Sequence, residues 1–372
     1  MRIPQDYTQA RCVGQPARGG RARERLGTGV EPREVCYPEG MILATMRRTI
    51  RERALFERGG RVLVACSGGA DSIALTHLLS RMAPELGILL FVASVDHGLR
   101  AEATEEVGLV ERFARGLGLP FERITLALAS GPGLQERARE ARYRALLEHA
   151  REAGLHRVAV GHTLDDQAET VLARLLRGSG IAGLAGANPH RPDGVVRPLI
   201  DTRRAEIRAY IAHWSLPFID DPSNDDPRYL RSRLRHTLLP LLAQEDPRLF
   251  EHLADLADDA REASSYLAAR AEVLLQAALR PDGSLGLAAL REAAQAPRRA
   301  ALASWARCIT GSALSRAQIE GIEGMLRGRG EVLLRAGWRV GVDSERIWAS
   351  PQGPGQPIPG APEILAAIRG LA

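Results

Sequence analysis

The spacing of hydrophobic positions changes several times along the chain, and the changes mark its elements. Residues 62–66 read V-L-V-A-C, an apolar run without alternation, the pattern of a strand covered on both faces. The run stops at Ser67-Gly68-Gly69, and Ser72-Ile73-Ala74-Leu75-Thr76-His77-Leu78-Leu79 resumes as a helix. Ser and Asp in that first turn are expected to satisfy the helix's orphan amides with side-chain oxygens. Residues 88–95 (I-L-L-F-V-A-S-V) form a second buried strand. After it come a helix over 102–117, a strand over 121–126, a helix over 133–153, a strand over 157–160 and a helix ending near Arg177. This alternation predicts a doubly wound, mostly parallel α/β sheet, ending near Pro198-Leu199.

Outside that core the pattern differs. Residues 1–40 carry Arg, Gly, Pro and Glu without an apolar period. They have neither the apolar centre of a secretory signal nor the acid-poor character of a transit peptide, so disorder is expected, with a first helix over 47–58. Beyond Pro240 the chain becomes mainly helical, over 247–279, 285–307 and 315–327. Short strands follow at 331–335, 338–342 and 346–349, separated by Gly-rich or Asp-Ser turns. The organisation read from the pattern is an N-terminal extension (1–40), an α/β domain with a basic C-terminal linker (41–240), a small helical α+β domain (241–350) and a short Gly/Pro-rich tail (351–372).

Composition adds bounds. The 372 residues suffice for two cores, and 45% hydrophobic with 26% charged residues is the balance of an ordinary globular protein. No run approaches the roughly 20 apolar residues of a membrane span. Cys12, Cys36, Cys66 and Cys308 are scattered, with no C-x-x-C. That argues against a disulfide framework and for a reducing, cytoplasmic compartment. The net charge of +5 rests on arginine alone, since all 50 basic residues are Arg. Such a charge suits a polyanionic partner, but GC-rich coding produces the same composition, so it decides little.

Candidate chemistry sits at the strand-to-helix junctions. A glycine turn between a strand and a helix N-terminus is a phosphate site, because the helix's free amides and dipole face the anion and no Cβ blocks its approach. A Walker loop is excluded, for it requires a lysine. At the later junction, Asp166 and Glu169 are three apart and share a helix face. Two acids there suit an ammonium ion or a metal; an N-cap beside a solvated acid is the alternative. His162 either meets phosphate or hydrogen-bonds backbone. Asp96 and His97 follow a strand at the ligand edge of the sheet. Arg228, Arg231, Arg233 and Arg235 form a basic segment in which Arg231 and Arg235 lie one turn apart. They present a cationic edge suited to RNA phosphates, or a solvated face pairing with Asp220, Asp221, Asp225 and Asp226.

The loop S-G-G-A-D-S (67–72) resembles the pyrophosphate loop of the ATP-pyrophosphatase, or PP-loop, family, which cleaves ATP between its α- and β-phosphates to adenylate a substrate. Further segments narrow the resemblance: D-H-G-L-R (96–100), Q-E-R-A-R (135–139) followed by Arg142-Tyr143, G-H-T-L-D-D-Q-A-E-T-V-L-A-R-L-L-R-G-S-G (161–180), R-P-L (197–199), D-P-S-N (221–224) and R-Y-L-R-S-R-L-R (228–235). Over 61–240 the chain is similar to the tRNA(Ile)-lysidine synthetases.

The resemblance implies an adenine nucleotide alpha hydrolase-like fold and a cytoplasmic enzyme using ATP and Mg²⁺. Such an enzyme adenylates the C2 oxygen of the wobble cytidine in tRNA(Ile) with a CAU anticodon, and the ε-amine of free lysine then displaces AMP. It implies that Ser67, Gly68, Gly69, Ala70, Asp71 and Ser72 hold the ATP phosphates, with Asp71 also on Mg²⁺. Ser94, Asp96 and His97 would border the adenosine, His162 would contact ATP, and Arg139 or Arg142 would face the α-phosphate. Asp166 and Glu169 would bind lysine; Arg228, Arg231, Arg233 and Arg235 would bind tRNA. A homodimer is left open. Ser232 stands where the family usually has Asn, and the C-terminal tail is shorter than the additional domain some members carry. A PP-loop tRNA thiolase and a non-catalytic ATP- or RNA-binding module are the competing readings. The lack of paired cysteines disfavours the first, and the intact Asp71, Asp166 and Glu169 the second.

Overall fold

The apolar runs of the first half pair side by side. The computed structural model describes residues 39–96, 102–126, 134–220, 227–334, 337–351 and 359–371. In chain order, α1 (Glu39–Glu52), β1 (Arg61–Ala65), α2 (Ala70–Leu86), β2 (Leu89–Asp96), α3 (Glu102–Gly116), β3 (Phe121–Thr125), α4 (Leu134–Glu152), β4 (Arg157–Val160), α5 (Leu164–Leu176), α6 (Ile181–Leu184), β5 (Val195–Val196) and α7 (Arg204–Trp214) build the α/β part. The five strands are parallel in the order β3-β2-β1-β4-β5. Strand order reverses between β1 and β4, so a crevice opens at their carboxyl ends, the usual ligand position in such sheets.

β1 is apolar at successive positions because both of its faces are covered. Val62 and Val64 pack with Met46, Ile73, Leu78 and Ile207 from α1, α2 and α7, while Leu63 packs on the other face with Leu146 and Ala150 of α4. Two of the longer helices packed on this sheet depart from the sequence expectation. α1 begins at Glu39 rather than Arg47 and buries Ile42, Met46 and Ile50 at helical spacing. α7, absent from the sequence reading, buries Ile207, Tyr210 and Ile211. It opens with the Arg203 amide donating to Glu206 Oε2 at 2.8 Å.

The basic segment forms α8 (Leu230–Arg233), a π-helical turn (Leu234–Leu238) and α9 (Leu239–Glu245). Leu234, Leu239 and Phe250 pack against Leu164, Ala168 and Leu172 of α5, which brings this segment onto the helix carrying Asp166 and Glu169.

The remainder consists of α10 (Leu249–Ala278), β6 (Leu285–Gly286), α11 (Leu287–Glu292), α12 (Gln295–Thr310), α13 (Arg316–Met325), β7 (Gly330–Leu334), β8 (Trp338–Val342), β9 (Arg346–Pro351) and α14 (Ala361–Leu371). β6-β9-β8-β7 form an antiparallel sheet, and Leu275, Trp305, Val340, Ile347 and Ile364 share its core. The single helix expected over 285–307 is broken. Leu285 pairs with Ile347 in the sheet, and the extended backbone at Ala293 and Ala294 separates α11 from α12. The described residues divide into two compact units, one within Met1–Ala173 and Gly186–Ala254, the other within Arg174–Ala185 and Asp255–Ala372. The second division falls inside the continuous helix α10, where no Gly or Pro punctuates the sequence. Among the described residues no helix is long and apolar enough to cross a membrane.

Candidate active site

The loop after β1 turns at Gly68, whose φ of +86° lies in the left-handed region that glycine enters without strain. The Ile219 amide donates to the Gly68 carbonyl at 2.9 Å and pins the turn. Ser72 does not cap α2 as expected. Its Oγ accepts from the Ser67 amide at 3.1 Å and donates to the Gly69 carbonyl at 2.9 Å, tying the loop to itself. Gly69 is the N-cap, with no side-chain acceptor. The Ser72 and Ile73 amides turn back onto the Gly69 carbonyl, which leaves those of Ala70 and Asp71 as the first-turn donors of α2 for an anion in the crevice. The segment after β4 presses against this loop: a Cβ on Gly161 would lie 3.0 Å from the Asp71 carbonyl carbon and 3.1 Å from the Ser72 nitrogen.

Asp71, in the first turn of α2, has a carboxyl raised from 3.8 to about 6, by burial first and by the neighbouring Asp166 carboxylate second. Its Oδ1 is buried without a partner, and Arg204 Nε approaches Oδ2 only to 3.8 Å. An unsatisfied acceptor beside a second carboxylate fits a divalent cation. Among the described residues no group of three or more His, Cys, Asp or Glu could hold a metal by itself. Mg²⁺ characteristically takes one or two carboxylates, and Asp71 offers one whose Oδ1 has no protein partner.

Asp166 and Glu169 are buried, and the chain itself supplies their cations. Asp166 Oδ2 accepts from the Thr163 amide and hydroxyl, both at 3.0 Å. Asp166 Oδ1 accepts from Arg204 at 2.9 Å and Arg231 at 2.8 Å. Glu169 Oε1 accepts from Arg235 Nε at 2.7 Å, and Oε2 from Arg231 Nε at 2.7 Å. Burial opposes ionisation of both carboxyls, but His162 and the guanidiniums of Arg204 and Arg231 hold Asp166 well below the usual carboxylate range, and the Arg235 hydrogen bond lowers Glu169. Arg231 and Arg235 thus share one helical edge as the sequence predicts, and in the free protein that edge is turned onto the acids. Arg204 is a member of the site that sequence reading missed. The amphipathic spacing of Ile207, Tyr210 and Ile211 was the available signal for its helix.

The other predicted residues distribute around this centre. Ala70 and Ser94 are buried and Asp96 ends β2; the Ala65–Ala93 register places Ser94 and Asp96 at the crevice edge beside β1. His97 lies outside the described residues, as do Asp221, Asp225 and Asp226. His162 is pushed down to about 4, by burial first and then by nearby arginines. Arg142 is half-buried with Nε unpartnered, and Arg139 is exposed. Arg228 and Arg233 are exposed, Arg233 donating to the carbonyls of Pro227 (2.8 Å) and Arg228 (2.9 Å). Ser232 is buried, and Asp220 pairs with Arg208 at 2.8 Å.

A parallel sheet with a glycine phosphate loop at its switch point defines a PP-loop ATP-binding domain, and residues 43–242 match the PP-loop domain family. The relatives narrow the class. A tRNA(Ile)-lysidine synthase of Salinispora arenicola is 39% identical over 311 residues, covering 80% of this chain and 93% of that protein. One from Methylobacterium nodulans is 43% identical over 291 residues, covering 76% and 84%. The chain belongs to the tRNA(Ile)-lysidine synthase family. It spans about half the length of some relatives: the Solibacter usitatus protein, 46% identical over 219 residues, is matched over 48% of its length. Among solved structures, the U34-tRNA thiolase NcsA of Methanococcus maripaludis, with its [4Fe-4S] cluster, superposes with a TM-score of 0.51 at 18% identity, covering 59% of this chain and 78% of that one. That likeness is one of fold.

Proposed function

We propose that this protein joins free lysine to C2 of the wobble cytidine of tRNA(Ile) with a CAU anticodon, consuming ATP and releasing AMP and pyrophosphate in the cytoplasm. One observation carries the reading: a buried carboxylate pair, Asp166 and Glu169, stands next to a phosphate loop whose own Asp71 senses Asp166 electrostatically. A phosphate site adjoining an amine site is what adenylation followed by amine attack requires.

In this mechanism the amides of Gly68, Gly69, Ala70 and Asp71 hold the β- and γ-phosphates, those of Ser67 and Ser72 being spent inside the loop. Asp71, whose Oδ1 has no protein partner, would hold Mg²⁺, which when bound would supply positive charge against the leaving pyrophosphate. The cytidine O2 attacks the α-phosphorus, and Arg142, with Arg139 at the crevice rim, stabilises the charge gathered on the α-phosphate. Ser94 and Asp96 border the nucleoside. The ε-ammonium of lysine gives up a proton to solvent, the resulting amine attacks C2, the C2–O2 bond breaks and AMP departs carrying O2. Asp166 and Glu169 receive the lysine ammonium.

In the free protein Arg231 and Arg235 occupy that amine site. RNA phosphates are the anions able to compete for these guanidiniums, and Arg228 and Arg233 on the same segment are exposed to meet the same backbone. Arrival of tRNA therefore uncovers the lysine site, so tRNA binds before lysine.

The test is incorporation of labelled lysine into a CAU-anticodon tRNA, dependent on ATP. Incorporation of sulfur instead, or RNA binding with no lysine incorporated, overturns the proposal.

A further inference from the structure

Arg197 follows β5 by one residue and is almost fully buried, at 3% exposure. Its Nη1 donates to the Asn188 carbonyl and its guanidinium hydrogen-bonds Tyr143, while Nε has no partner. Tyr143 is the hub of a cationic group: the guanidiniums of Arg139 and Arg191 lie 5.7 and 5.3 Å from its ring centroid. Arg191 has a carboxylate partner in Asp193. Among the described residues no carboxylate pairs with Arg139, Arg142 or Arg197. Arg142 Nε and His162 Nε2 are likewise buried without a partner. Burial pushes the Arg197 and Arg142 guanidiniums down, and neighbouring arginines add to the effect.

A buried guanidinium without a counter-charge is costly to keep. Two buried guanidiniums, each with an unpartnered Nε and no carboxylate beside it, together with the unpartnered Nε2 of the neutral His162 ring, form a group suited to an anion. The β4–β5 register (Ala159 with Val196) puts Arg197 at the carboxyl edge of the sheet, where the segment carrying His162 also leaves it. This edge continues the one that carries the pyrophosphate loop.

We propose that Arg197, together with Arg142 and His162, forms a second phosphate subsite next to the pyrophosphate loop, and that Arg197 is the residue positioning the bound phosphate group. The ligand is a single phosphate carried either by the nucleotide, as its α-phosphate, or by the RNA backbone next to the reacting base. The proposal deepens the function given above, but its test requires no lysine transfer and stays readable if that reading fails.

The test compares wild type with Arg197→Met in three equilibrium titrations, with AMP, with pyrophosphate, and with the anticodon stem-loop of a CAU tRNA over a salt series. If the nucleotide supplies the phosphate, AMP binds about tenfold to a hundredfold more weakly, the size expected for loss of a charge-assisted hydrogen bond, while pyrophosphate affinity is unchanged. If the RNA supplies it, AMP affinity holds and the slope of log affinity against log salt falls by about 0.7–0.9. Unchanged AMP affinity together with an unchanged slope overturns the proposal. So does a parallel loss of all three ligands, which marks Arg197 as a packing residue. Tyr143→Phe retains the ring and removes the hydroxyl that orients Arg197, and several-fold weakening of the same ligand is expected there. If the methionine variant does not fold, that variant alone decides: an unchanged Tyr143→Phe overturns the proposal.

Discussion

Replacing Asp71 by Asn should make the free protein more stable while abolishing its ATP-dependent chemistry. Asp71 titrates at about 6 in the folded protein against an ordinary 3.8, a difference of about two units, or about 3 kcal/mol. The sign follows from proton uptake. The folded state holds its proton more tightly than the unfolded state, so wild-type stability falls as pH rises from about 4 to about 6 and is level above. The penalty carried by Asp71 is about 3 kcal/mol at pH 8 and about 1 kcal/mol at pH 4.5. An asparagine carries none of it. The variant's advantage in denaturant titration should therefore approach 3 kcal/mol at pH 8, roughly 6–12 °C in melting temperature for a domain of this size, and shrink at pH 4.5. Saturating Mg-ATP should stabilise the wild type by a further ~3 kcal/mol at a hundredfold excess over its dissociation constant, and should stabilise the variant far less. An Asp71→Asn protein no more stable than wild type at pH 8, or with an equal advantage at both pH values, refutes the picture of an unpaired carboxylate waiting for a cation.

Glu169→Gln removes the buried charge on which Arg231 and Arg235 converge and should lower stability by about 3 kcal/mol. It should impair lysine transfer more than tRNA adenylation; equal loss of both half-reactions, measured separately, would sink the division of roles between Asp71 and Glu169. Arg231→Ala should weaken tRNA binding and tighten lysine binding to the free enzyme, both read by calorimetry, and weaker lysine binding would contradict displacement of the arginine by RNA. Gly161→Ala sets a Cβ about 3.0 Å from the Asp71 backbone. Because the neighbour is backbone, the loop must shift, costing about 1–3 kcal/mol and reducing ATP affinity in a nucleotide titration; unaltered affinity would show that the two loops move independently.

What the sequence determined by itself is local. The run 62–66 announces a strand covered on both faces, and Ser67–Ser72 announces a phosphate loop, because six contiguous residues carry its turn, its amides and its hydroxyls. The three-residue spacing of Asp166 and Glu169 puts them on one helix face wherever that helix lies. The same arithmetic puts Arg231 and Arg235 on one edge, but it cannot say what the edge faces. Only tertiary packing decided that. Leu234 and Leu239 seat the basic segment on α5, so that Arg235 meets Glu169 from 66 positions away and Arg204 meets it from 35. The raised carboxyl of Asp71 has the same origin, since its burial and its neighbour Asp166 come from β1 and β4 lying side by side. A carboxylate and a guanidinium attract through whatever medium separates them, and neither the distance nor the medium is written in residue order; both are set when the core closes.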